Sequence, residues 1–174
     1  MGENRVCKGL QRTLIELMHN TNNWASSNAG SQEHWWISVN HDKENHKVHF
    51  HFVDYGQGIL RSLERRSNPK IWSNFWNLLQ NMVESNRKPE IIKSLLNGEH
   101  RTPEQRDHPY FRGKGLPSIR DALDRGQISN LQIITNDTYS DVQANKFISL
   151  SRDFNGTFVH WELEENNISE VWKT

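Results

Sequence analysis

Hydrophobic positions recur every three to four residues over about 6–25, where Val6, Leu10, Leu14, Leu17 and Met18 predict a helix. The polar run SSNAGSQEH (26–34) ends it, and the period then shortens to two. WWISVNHDKENHKVHFHFVDYG (35–56) predicts two strands about a turn near Asp42–Asn45. In the second strand Val48, Phe50, Phe52 and Asp54 share one face, and His49, His51 and Val53 the other. Helical spacing returns over about 69–83 and 88–97. Trp72, Phe75, Trp76 and Leu79 form the first apolar stripe, and Ile91, Ile92, Leu95 and Leu96 the second. A breaker-rich segment (97–117) follows. Pro117, favoured in a first helical turn, opens PSIRDALDRG, with Gly126 suited to its end. QISNLQIITN, NKFISLS and GTFVHWELE predict three closing strands.

A strand with one apolar and one polar face belongs to a sheet covered on one side. Helices interleaved with such strands predict an α/β (α+β) two-layer sandwich, with a mostly antiparallel mixed sheet and helices on one face. No segment reads as a linker, so residues 1–174 are expected to form one domain.

Composition narrows the classes of function. Lys+Arg and Asp+Glu are both 21, so the basic surplus usual in a nucleic-acid binder is absent, and nucleic acid is not the expected partner. The single cysteine, Cys7, cannot form an intramolecular disulfide and suits a reducing, cytoplasmic setting. No apolar run reaches the ~20 residues of a membrane span, and MGENRVCKGLQR has no signal-peptide core, so no membrane association is expected.

The carboxylate of Asp54 at the end of an alternating strand, followed by Gly56 and Gly58, is unusual for a plain turn. Glu16 and Asn20, spaced i, i+4, project from one face of the first helix. Downstream stand RGKGL (112–116) and Gly156–Thr157. Each pattern alone is weak, but the four occur in one order. Together they resemble the GHKL superfamily, the Bergerat-fold ATP-binding domains of gyrase, heat-shock chaperones, mismatch-repair proteins and histidine kinases. ELMHNTNNWA (16–25) keeps Glu16, Leu17, Asn20 and Ala25 of its first box. Asp54, Gly56, Gly58 and Ile59 match the Asp-x-Gly-x-Gly box, Gly113, Gly115 and Leu116 the second glycine box, and Gly156 and Thr157 the last. The resemblance spans about residues 6–165.

It implies a stand-alone domain that binds Mg·ATP and hydrolyses it slowly, with ATP and Mg²⁺ as its ligands. By resemblance, Asp54 accepts a hydrogen bond from the exocyclic amine of adenine, Gly56 and Gly58 make room for the nucleotide, and Thr157 supports that contact. Asn20 offers an oxygen to Mg²⁺. Gly113, Lys114, Gly115 and Leu116 lie where a helix N-terminus would receive phosphates. Glu16 stands where hydrolytic members carry the general base. The alternative is a nucleotide-gated regulatory switch, or a protein kinase of the anti-sigma-factor kinase type, acting on a protein partner. Such a domain is also compatible with a homodimer. Neither a phosphoacceptor helix before the domain nor a second domain after it is expected. The P-loop pattern is excluded, because GKG lacks both the preceding glycine spacing and the following Ser/Thr.

Two departures stand out. Trp24 and Thr21 replace residues common in the first box, and the lid between the glycine boxes, about 60–112, holds two inserted helices. Its Arg61, Arg65 and Arg66 are read as solvated. His49 and His51, with His41 and His46 nearby, resemble a zinc pattern. No acidic or thiol residue is spaced along the sequence to complete it, so they are read as a polar strand face.

Overall fold

The computed structural model describes residues 7–24, 34–64, 82, 87–99 and 115–167. Within them α1 spans Lys8–Trp24, β1 Trp35–Asp42, β2 Lys47–Asp54, α2 Gly58–Glu64, α3 Lys88–Leu96, α4 Gly115–Asp124, β3 Ser129–Asp141 and β4 Lys146–Glu164, with a short 3-10 turn at Glu165–Asn167. The strands form one sheet in the order β1-β2-β4-β3. Every pairing is antiparallel, so the mixed sheet expected from sequence has no parallel pair among the described residues.

Alternation sets the core. Phe50 and Phe52 of β2 and Val159 and Trp161 of β4 are buried on one face, with Phe50 and Trp161 stacked at 5.2 Å and 8°. Ile91, Ile92, Leu95 and Leu96 of α3, Ile119 and Ala122 of α4, and Leu60 and Leu63 of α2 close over that face. Leu17 brings α1 to the same core, and Arg12 pairs with Asp121 at 2.7 Å to tie α1 to α4. The result is the expected α+β sandwich. At the edge, β1 keeps Trp36 and Val39 more than half exposed.

Three differences from the sequence reading have physical reasons. NKFISLS and GTFVHWELE are one strand, β4, because the Asp-Phe-Asn-Gly segment between them stays in the β3–β4 ladder through register irregularities beside Asn136. The paired strands bend back there together. Asn136 adopts φ 51°, and the Val142 N–H returns to the Leu131 carbonyl at 2.9 Å. Finally, α4 begins at Gly115, two residues before Pro117, which keeps its place in the first turn where its missing N–H is harmless. Gly126 ends the helix as expected, donating to Leu123, while Gln127 donates to Ala122. The helix expected over 69–83 lies outside the described residues except for Met82, which is helical, whereas the one over 88–97 is α3.

Candidate functional site

Two of the sequence-matched segments meet between α1 and α4. Glu16 and Asn20 lie one turn apart on α1, both partly buried. A Cβ added to Gly115 would lie 2.9 Å from both Asn20 Nδ2 and Asn20 Oδ1. The Asn20 amide thus rests against the first turn of α4, and a side chain at position 115 would push it aside. That turn also carries Leu116, packed on the core. Gly113 and Lys114 lie outside the described residues.

The other two segments meet at the end of β2. Asp54 is buried, 6% exposed, and its register partner on β4 is Thr157. Asp54 Oδ1 accepts the Gly56 N–H at 3.0 Å, an arrangement that turns the chain away from the strand. A Cβ on Gly156 would stand 1.9 Å from the Asp54 carbonyl oxygen, so β4 passes β2 there with no room for a side chain.

The chain then enters α2, a short helix absent from the sequence reading. Two residues of β3 receive its leading N–H groups. Thr135 Oγ1 accepts from Ile59 at 2.9 Å, and Asn136 Oδ1 accepts from Leu60 at 3.0 Å. Asn136 Nδ2 also donates to the Gln57 carbonyl at 2.9 Å. Thr135 Oγ1 donates to Gly156 O at 3.1 Å and lies 3.4 Å from Thr157 Oγ1. Thr135 and Asn136 therefore join the Asp54 turn to the Gly156–Thr157 strand. Gly58 has φ 76°, and its missing Cβ would meet Asn136 Oδ1 at 2.6 Å. Gly58 thus has a packing reason within the protein, whatever else approaches it. The signal for these partners was Thr-Asn-Asp at the end of a predicted strand, residue types that cap and turn.

Arg61 is exposed to solvent as expected, and its guanidinium also pairs with Asp153 and donates to Asn155 Oδ1 at 2.9 Å, linking α2 to β4. Arg65 and Arg66 lie outside the described residues.

One premise of the histidine reading, that no acidic residue completes the group, is corrected. A third, acidic group does stand beside His49, and it comes from β4. Register places His49 opposite Glu162 and His51 opposite His160. His49 Nδ1 is 3.3 Å and His160 Nε2 3.4 Å from Glu162 Oε1. Burial pushes the Glu162 carboxyl up, but hydrogen bonds from Asn130 and Lys47, the Lys47 charge and the His160 contact outweigh it and hold the group below its usual range. Burial, then repulsion from His160 and His49, lowers the pKa of His51.

No helix among the described residues is long and apolar enough to cross a membrane. No family model and no curated protein matches the chain.

Proposed function

We propose that this chain is a GHKL-type nucleotide-binding domain with a Bergerat fold that binds Mg·ATP and hydrolyses it slowly. The observation that supports it best is the pairwise meeting of the four matched segments. Asn20 touches Gly115, and Asp54 lies against Gly156 and Thr157. Residues chosen for their order along the sequence thus meet in two pairs, one between α1 and α4 and the other at the end of β2.

Asp54 recognises adenine. A carboxylate offers about four acceptor positions, so its bond to the Gly56 N–H is compatible with one from an exocyclic amine. Guanine presents a carbonyl there, which would leave two acceptors facing each other. Thr157, held near Thr135, steadies the carboxylate from the neighbouring strand.

Mg²⁺, when bound, supplies charge neutralisation on the triphosphate. Asn20 fits that ion: its amide carries a neutral oxygen at the first turn of α4, where backbone N–H groups lack helical partners and favour anions. Lys114 adds a positive charge to the phosphates. Glu16, one turn from Asn20, orients the attacking water and takes its proton.

Single-turnover phosphate release tests the hydrolytic part. Glu16→Ala and Glu16→Gln should bind ATP as the native chain does and release phosphate ~10²–10⁴-fold more slowly. Equal rates in all three proteins would leave a nucleotide-gated switch in place of an ATPase.

A further inference from the structure

The face of the sheet turned away from the core carries a second constellation. Glu162 is nearly enclosed, its side chain 8% exposed, between the rings of His160 at 12% and His49 at 23%. The two rings are stacked at 5.8 Å and 18°, and one ligand atom from each of the three residues lies within 4.8 Å of the others. Tetrahedral coordination at ~2.0–2.2 Å sets ligand atoms roughly 3.4 Å apart. The two separations from Glu162 Oε1, 3.3 and 3.4 Å, already have that value. The remaining edge, between the two imidazoles, is within 4.8 Å.

The surroundings suit a cation. Lys47 Nζ, 3.2 Å from Glu162 Oε2, holds the far oxygen, which leaves Oε1 directed between the rings. Asn130 Nδ2 donates to Oε1 at 2.6 Å, and a carboxylate oxygen has a second lone pair to offer. The amide thereby becomes an outer partner that orients the carboxylate. The same nitrogen is 3.4 Å from His160 Nε2, a long contact that an ion would replace. His160 Nδ1 is buried with no hydrogen-bond partner among the described residues, so the polar contacts of this ring lie at its Nε2 end. Two imidazoles and one carboxylate are the donor set of three-ligand zinc sites.

We propose that His49, His160 and Glu162 bind one zinc ion across β2 and β4, with the fourth position open to water. The ion links the two central strands on the face away from the core, and its binding requires no nucleotide.

Cobalt(II) substitution tests this in the untagged full chain, stripped with a chelator and free of nucleotide. Titration at neutral pH should give visible absorption of tetrahedral intensity that saturates at one ion per chain and disappears on adding zinc. Loss of an outer-shell partner alone commonly weakens a metal site about 10–100-fold. His49→Gln and Glu162→Gln should therefore each weaken binding by at least about tenfold, whereas His46→Ala, on the hairpin turn, should not. His49 is the more exposed ligand, and circular dichroism of His49→Gln checks that the fold persists. Absence of saturable binding would overturn the proposal, as would wild-type affinity in both ligand variants.

Discussion

A Cβ on Gly156 would lie 1.9 Å from the carbonyl oxygen of Asp54. No rotamer relieves that contact, because the backbone fixes the Cβ and the oxygen is itself backbone. The φ of 130° at Gly156 adds a conformation that L side chains rarely adopt. The glycine thus lets β4 close on β2 at the carboxylate. Gly156→Ala should cost roughly 2–5 kcal/mol, combining backbone strain with overpacking. Urea denaturation measures it; a loss below about 0.5 kcal/mol would mean the strands do not meet there.

Asn136 holds the turn after Asp54 from the opposite side. Asn136→Ala removes the acceptor for the Leu60 N–H and the donor to Gln57 O, and should destabilise by about 1–3 kcal/mol. Hydrogen exchange should quicken at Leu60 more than at Ile59, whose N–H is held by Thr135. Unchanged protection at Leu60 would contradict this role.

Asn20 serves phosphates and not the base in the proposed site. Asn20→Ala leaves a smaller side chain against Gly115, so the α1–α4 packing should survive. Triphosphate binding should lose most of its Mg²⁺ dependence while adenosine affinity stays nearly unchanged. Equal losses for ATP and adenosine, measured by calorimetry, would place Asn20 elsewhere.

Local periodicity made much of the fold legible. The two-residue alternation at Phe50 and Phe52 identified the buried face of β2, and the stripe from Ile91 to Leu96 marked α3. Contacts between distant strands were harder to read, because spacing along the chain carries no register. The Asp-Phe-Asn-Gly segment has turn residues yet runs on as strand, so β4 looked like two strands. Glu162 was missed for a related reason. Pairing Asp54 with Thr157 fixes the antiparallel register. Counting back from one and forward from the other then puts His49 opposite Glu162 and His51 opposite His160. That information lay in the sequence, but only once one cross-strand pair was accepted. The caps from Thr135 and Asn136 needed the bend within β3 as well, which an asparagine at φ 51° provides without a glycine to announce it.

Calorimetric titration with ATP and GTP in the presence of Mg²⁺ decides whether Asp54 seats adenine in the proposed Mg·ATP site. The native chain should bind one ATP with at least about tenfold preference over GTP. Asp54→Asn, which exchanges one carboxylate oxygen for an amine, should lose ~1–3 kcal/mol of ATP binding and most of that preference. GTP binding as tight as ATP, or no binding of either, would contradict the account.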